Sequence, residues 1–394
     1  MTPSSPRASS ALRARAPFSV LSVKLLLCVA LAFSLFTLAP FGCAQEPMQT
    51  PAETRSTTPQ SASAASRGVI PPSSSTIELQ KRVGAMAAAH HGKVALFAKN
   101  LTTGETVAVD PDTPVQTASV IKLPLMLQAY EQVRDGKLRL EQHTQLSKEN
   151  IVGGSGILYL LDPGLSLTLK DVISLMMTLS DNTATNMTID MVGLAPTNEM
   201  LARMGMKNTY FYKKVFKPAE GPMPDDQKKF GLGKTTAAEM AAIMESIYRC
   251  QMGTRDLCTQ MMTIMRNQQD RDMLPRYLLR HNEQEGLYAT ADKIGALDDV
   301  RNDVALVWTV RGPVVISIFT YDNEDQSWTP DNAAEVLIGR LAEAIVQVWS
   351  PEGLAPKVEN VIAPLLPADA PGAVHAPAAP ATTPPAPPSG AQDK

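Results

Sequence analysis

Strand-like segments stand at both ends of the foldable part of this chain, and helix-like segments fill the interval between them. Near the start, KVALFAKNL (93–101) and ETVAVD (105–110) are rich in strand-forming residues and flank a Thr103-Gly104 turn. Near the end, DVALVWTVRG (303–312) and PVVISIFTYD (313–322) form a second pair, with the turn expected at Gly312-Pro313. Between them, SVIKLPLMLQAYEQVRDG (119–136), LTLKDVISLMMTLSDNTATNMTIDMVG (167–193) and TTAAEMAAIMESIYRC (235–250) repeat apolar residues at helical spacing. A first helix is expected to open at Ser75, with Glu78 completing a capping box, and to run to about His90. A last helix is expected from about Pro330 to Val348. Strands this far apart pair when the two ends of the foldable stretch meet. The expected fold is therefore α/β (α+β): an antiparallel sheet formed from N- and C-terminal segments, flanked by helices, with an all-helical lobe inserted. The sequence has no internal repeat.

Composition sets the limits of that body. Residues 45–76 are rich in Ser, Thr, Ala and Pro, and 351–394 in Pro and Ala, so both read as unstructured. One catalytic-size domain, 77–350, lies between them. Hydrophobic residues make up 44% of the 394, enough for a large core. A net charge of −3 and an aromatic content of 5% supply neither the basic patch nor the stacking surface that nucleic-acid binding needs.

Residues 1–44 read as an export signal. Arg7, Arg13, Arg15 and Lys24 precede an apolar run, Leu25–Leu38, that falls short of the ~20 residues of a membrane span. Three fates fit the run and the GCAQ that follows: cleavage after Ala44, with Gly42 at the −3 position, lipidation at Cys43, or retention as a signal anchor. An exported, periplasmic protein without an integral membrane domain is expected. Outside the signal the cysteines are Cys250 and Cys258, and Gly253 between them permits a turn that brings them together as a disulfide in an oxidising compartment.

Three short motifs carry the chemistry. Ser119-Val120-Ile121-Lys122 places a hydroxyl and an amine three residues apart at the start of an apolar helix, where both share a face. Ser180-Asp181-Asn182 follows the run LMMTL, and Lys293-Ile294-Gly295 precedes a strand. Each alone also fits a bland reading as a helix cap or turn. Their order and spacing carry more: S-x-x-K, S-D-N and K-T-G together mark class A β-lactamases and penicillin-binding proteins.

The sequence resembles class A β-lactamases across nearly the whole folded region. GGSGIL (153–158), LSDNTATN (179–186) and RNDVAL (301–306) extend the likeness beyond the triplets. The resemblance implies that Ser119 is the nucleophile that opens a β-lactam ring and becomes acylated, with Lys122 beside it as proton acceptor. Ser180 would pass a proton to the leaving nitrogen, and Asn182 would orient Lys122 and the substrate amide. Lys293 and Gly295 would lie against the substrate, Arg301 would be a second carboxylate anchor, and the N–H groups of Ser119 and Ala296 would form the oxyanion hole. The deacylating base of the family is a glutamate in an E-x-x-L-N loop. Counting back from Thr235 puts Glu220 there, with Met223 and Pro224 in place of the leucine and asparagine. A second departure is Ile294, where the family carries Thr or Ser, which removes a hydroxyl from the substrate carboxylate's reach. The expected substrate is a β-lactam. The alternative, kept open by Pro224 and Ile294, is a slowly deacylating D,D-peptidase-like protein acting on peptidoglycan peptides. No cofactor is expected; no His/Cys/Asp cluster has metal-ligand spacing. His90 and His91 read as solvated cap residues, the methionines as core filler, and the chain as a monomer.

Overall fold

The computed structural model describes residues 72–278 and 288–364. The expected signal, most of the 45–76 tether with Cys43, and the tail beyond 364 lie outside those residues. The sheet has five strands: β1 (Lys93–Asn100), β2 (Thr106–Val109), β8 (Thr290–Leu297), β9 (Val300–Thr309) and β10 (Gly312–Tyr321), in the order β2-β1-β10-β9-β8 with every neighbour antiparallel. The β1–β10 ladder, from Lys93↔Tyr321 to Asn100↔Val314, joins the two ends of the body. All ten residues of β9 are buried, which is why 304–308 read as a continuous apolar run and not as an alternating one.

Helices α1 (Ser74–Ala88) and α9 (Ala333–Trp349) pack together, each also against the sheet, and α7 (Ala237–Tyr248) packs on β1, β9 and β10. The inserted lobe centres on α2 (Lys122–Arg134), in which every residue from Lys122 to Gln132 is buried. Around it stand α3 (Leu169–Thr178), α4 (Asn182–Val192), α5 (Leu194–Arg203) and α8 (Arg255–Arg266). Two short sheets, β3-β7-β6 (Val115–Gln116, Gly233–Thr235, Tyr210–Phe211) and β4-β5 (His143–Gln145, Ser166–Thr168), and a four-residue helix α6 (Gln227–Phe230) complete the described elements. No helix among them is long and apolar enough to cross a membrane.

Four expectations need correction. The cap of α1 is Ser73, whose hydroxyl accepts the Thr76 N–H, so the helix opens two residues before the position expected for the Ser75 cap, and it ends at Ala88. The β9–β10 turn is Val310-Arg311; Gly312 and Pro313 already lie in β10. Pro313 sits at the strand's end, where a missing N–H costs least, and its carbonyl accepts the Leu101 N–H. The last helix starts at Ala333 because Asn332 caps it, accepting from the N–H groups of Ala334 and Glu335. Finally, the body does not stop at 350. Leu354 and Ile362 are buried, Leu354 bridges to Thr309, and Ala363 exchanges hydrogen bonds with Tyr248 and Arg255. Two apolar side chains in an otherwise Pro/Ala-rich segment are enough to dock its first part.

Cys250, just past α7 with φ +53°, is bonded to Cys258 in the first turns of α8, with Cα atoms 5.6 Å apart. The turn through Gly253 joins the two helix ends.

Candidate active site

The site is assembled at two breaks in helical runs. The long run 167–193 forms two helices because Ser180 adopts φ +53° between them. Asp181 then caps α4. One carboxylate oxygen accepts the Ala184 N–H (2.8 Å), and the other accepts the N–H groups of Ile157 (2.7 Å) and Leu158 (2.8 Å). Gly156 packs so tightly on Asp181 that a Cβ there would lie 2.2 Å from its carboxyl carbon. The last glycine of GGSGIL is thus explained by the approach of the loop to this cap. The second break precedes α2. Ala118 adopts φ +44°, and Ala118–Ile121 form one 3-10 turn that carries Ser119 half-buried at the surface of the cleft. Left-handed backbone at non-glycine residues costs about 1–3 kcal/mol each and persists where surrounding structure over-determines it, most often at functional sites. Of the six such residues among those described, Ala118 adjoins the S-x-x-K motif and Ser180 opens the S-D-N motif.

From these breaks the side chains converge. Lys122, wholly buried at the first position of α2, donates to Ser180 O (2.6 Å), Ser180 Oγ (3.2 Å) and Asn182 Oδ1 (2.9 Å). Lys293, on the edge strand β8, donates to the same Ser180 Oγ (3.1 Å) and to Ile294 O (2.8 Å). One hydroxyl therefore sits between two ammonium-bearing side chains from distant parts of the chain. Gly295 lets β8 close on the turn that carries Ser119: a Cβ at that position would lie 2.8 Å from Thr117 O and 2.9 Å from Ser119 N. Ala296 follows, half-buried. Among the described residues the hydrogen bonds of Lys122 Nζ all lie within this cluster.

Electrostatics follow from burial. Removal from water pulls the Lys122 amine well below the usual lysine value. Lys293 pulls it further and Asp181 opposes. Desolvation also brings Lys293 down to about 8, against the pull of Asp292, Asp303 and Asp270. Asp292 and Asp303 lie on the opposite face of the β8–β9 ribbon, where burial pushes both carboxyls up and each repels the other's charge. Arg271 pairs with Asp292 at 3.2 Å, and Asp303 accepts the Leu274 N–H at 3.0 Å.

Two expected residues are placed elsewhere. Arg301, read as a carboxylate anchor, is fully buried and committed to the scaffold. Its guanidinium bonds Glu335 (2.8 Å), Leu297 O, Val300 O (2.9 Å) and Ser327 O (2.7 Å), and stacks 4.6 Å from the Trp328 ring. Nothing in the sequence pairs Arg301 with Glu335, 34 residues away. Glu220 is exposed and lines a pocket of about 410 Å³ with Asp190, Tyr210, Tyr212, Lys214 and Met223; none of the three motifs lines that pocket.

The stretch of this loop nearest the cluster comes earlier. Asn186, one helical turn beyond Asn182, clamps Val215, accepting its N–H (2.8 Å) and donating to its carbonyl (3.1 Å). Phe216 follows at φ +53° and 70% exposed. A Cβ at Gly154 would lie 3.1 Å from the Phe216 ring and 2.8 Å from Asn182 Nδ2. The loop thus brings the Phe216 ring to the same glycine that Asn182 approaches. The available signal was the second asparagine of SDNTATN, at i+4 from the first and hence on the same helix face.

Comparison with known proteins agrees with this architecture. Residues 78–349 match the Beta-lactamase enzyme family. A β-lactamase from Sphaerobacter thermophilus DSM 20745 superposes with a TM-score of 0.60 at 30% identity, over 68% of this chain and 95% of that one. PBP-A, as an L158E mutant in an acyl-enzyme complex with penicillin G, superposes with a TM-score of 0.60 at 23% identity, over 69% of this chain and 96% of that one, a likeness of fold. The β-lactamase regulatory protein BlaB of Streptomyces cacaoi is 29% identical over 125 residues, 31% of this chain and 40% of that protein. This chain matches well under two thirds of that relative's length. With the match spanning all five strands of the sheet and the lysine–serine cluster, the chain belongs to the Beta-lactamase enzyme family.

Proposed function

We propose that the protein is a serine acyl-transfer enzyme in which Ser119 opens β-lactams, or the equivalent acyl-peptide bond, and holds the product as a long-lived ester. The observation that carries the reading is Ser180 Oγ standing 3.2 Å from Lys122 Nζ and 3.1 Å from Lys293 Nζ. In the first half-reaction Ser119 Oγ attacks the carbonyl carbon, and the C–O bond forms as the C–N bond breaks. The serine proton passes to the neutral Lys122 amine and returns, through Ser180, to the departing nitrogen. A lysine held well below its ordinary value suits this task, because the shift favours the free amine that accepts a proton. The N–H groups of Ser119 and Ala296 face the developing oxyanion.

The second half-reaction needs a water and a base. Among the described residues no carboxylate hydrogen-bonds to Lys122, Ser180, Asn182 or Lys293, and the loop beside Asn182 offers Val215 and Phe216. This favours the slowly deacylating, D,D-peptidase-like form over an efficient class A hydrolase with Glu220 as base. Mass spectrometry of the full chain after brief exposure to benzylpenicillin tests both steps. The expected result is one penicilloyl adduct on Ser119, absent in Ser119→Ala and persisting for minutes or longer. Sustained nitrocefin turnover near the enzyme median of about 10 per second would overturn the slow second step, and absence of any adduct would overturn the first.

A further inference from the structure

One face of α4 runs outward from the acylating cluster at helical spacing. Asn182 belongs to the cluster, Asn186 grips Val215, and Asp190 stands one turn further on. Asp190 lines the pocket of about 410 Å³ to which the end of α4, the start of α5, β6 and the loop after β6 all contribute. That volume suits a small organic ligand. Most polar groups on its lining are already spent. Asp190 accepts from Asn150 Nδ2 (2.6 Å) and pairs with Lys214. The Asn198 amide is used on both sides by the Phe211 backbone, donating to its carbonyl (2.9 Å) and accepting its N–H (2.8 Å). Tyr212 gives its hydroxyl proton to Asp226 (2.6 Å). Among the described residues, Lys213 and Glu220 have neither a hydrogen bond nor an ion pair, so one charge of each sign on the lining is left unmatched. Much of the remainder is hydrocarbon from Ile189, Leu194 and Met223, with the ring of Tyr210 tilted 4.9 Å from that of Tyr212.

We propose that this pocket is a second binding site, separate from the acylating cleft, for a small apolar zwitterion: a dipeptide with free termini and hydrocarbon or aromatic side chains. Such a ligand brings one charge of each sign to a lining that has one of each to spare, its carboxylate to Lys213 and its ammonium to Glu220. Complementary charge of this kind fixes orientation and excludes ligands of a single sign. The side chains enter against Ile189, Leu194, Met223 and the Tyr210 ring, and removing them from water supplies the affinity. A neutral ligand of the same shape would bury the same hydrocarbon and leave both charges unanswered. The site is independent of the acyl-transfer reading, because none of the acylating residues lines it.

The test is calorimetric titration of the full chain with leucyl-phenylalanine and with the same dipeptide acetylated at its amine and amidated at its carboxylate. The free dipeptide is expected to bind with a dissociation constant below about 1 mM. The blocked one should bind about tenfold or more weakly, since both charges are gone, and Lys213→Ala or Glu220→Gln should each weaken the free dipeptide by about threefold or more, the worth of a partly exposed ion pair. Ala195→Phe, which fills the pocket and alters no charge, should abolish binding, and Ser119→Ala should bind as the wild type does. The two charge variants lie on an irregular loop and keep the test decisive if the filled pocket does not fold. A dissociation constant above that limit, equal binding of the blocked dipeptide, or charge variants that bind like the wild type would overturn the proposal. So would loss of binding in Ser119→Ala, which would move the dipeptide to the acylating cleft. Each of these outcomes leaves open whether Ser119 is acylated, which the penicilloyl adduct decides separately.

Discussion

The acylating cluster and the loop from Tyr212 to Pro224 lie on either side of Asn182 and are built in opposite ways. Lys122, Ser180, Asn182 and Lys293 are all buried and are bonded to one another from three separate segments. The loop is fixed at one point, where Asn186 grips Val215; beyond it the chain turns outward, with Phe216, Pro218 and Glu220 exposed. Forming an ester needs groups held in place before substrate arrives, and the first region supplies them. Breaking the ester needs a base poised over it, and the second region places hydrocarbon there. On the proposed reading, the contrast implies that the two half-reactions are separable in one fold, with the loop deciding whether a site that acylates also turns over.

The largest effect that would break the contrast is expected at Lys122. Lys122→Ala should slow acylation by benzylpenicillin about 10²–10⁴-fold, the usual contribution of a positioned general base, with folding checked by thermal melt. A variant that still labels at the wild-type rate would mean that the buried network is scaffold and not machinery. Next comes Arg301, which belongs to the scaffold. Arg301→Ala strands the carboxylate of Glu335, and loss of one partner of a buried ion pair is expected to lower stability by about 3–5 kcal/mol, read from urea midpoints. Arg301→Lys should fall between, and the folded fraction of either should be acylated by benzylpenicillin within about threefold of the wild-type rate. A larger loss would return Arg301 to the substrate site.

A smaller effect is expected from pH. Acylation needs Lys122 neutral and Lys293 charged. The Lys293 value lies near 8, below the ordinary 10.5, so the ammonium is present below that pH and is lost above it. The acylation rate should therefore fall on the alkaline side with an apparent midpoint near 8. Lys293→Arg, which stays charged, should remove that limb up to pH 10 even if it lowers the plateau. A limb that survives in the arginine variant would assign the titration to another group.

The same contrast explains what could be read from sequence. The sheet was legible because β1, β9 and β10 carry strand composition at both ends of the body, and the cluster because Ser119, Lys122, Ser180 and Lys293 keep the motif order and spacing. Both are local patterns. Arg301 was misjudged because its partners, Glu335 and the Ser327 carbonyl, are brought to it by tertiary packing that no spacing encodes. The docking of Leu354 and Ile362 was missed for a related reason: two buried side chains are too few to shift the composition of a Pro/Ala-rich segment. Glu220 was placed by counting residues back from Thr235. In an irregular loop one residue more or less moves a side chain by about 3.5 Å, so such counting loses its meaning within a few positions. The hydrogen-bonding of Asn186, on a rigid helix, fixes the loop's approach far better than distance along the chain.

The smallest predicted effect therefore tests the sharpest form of the comparison. Glu220→Gln keeps the size of an exposed side chain and removes its charge, in a pocket that contains none of the acylating residues. If Phe216 and Val215 are what the loop shows to the ester, then both the acylation rate and the lifetime of the adduct should change by less than about twofold, where loss of a working general base would change the lifetime by about 10²–10⁴-fold. A large lengthening of the adduct lifetime in this variant would require the loop to swing Glu220 inward once Ser119 is acylated. The separation of the two halves would then belong to the free enzyme alone, with the ester itself recruiting its base.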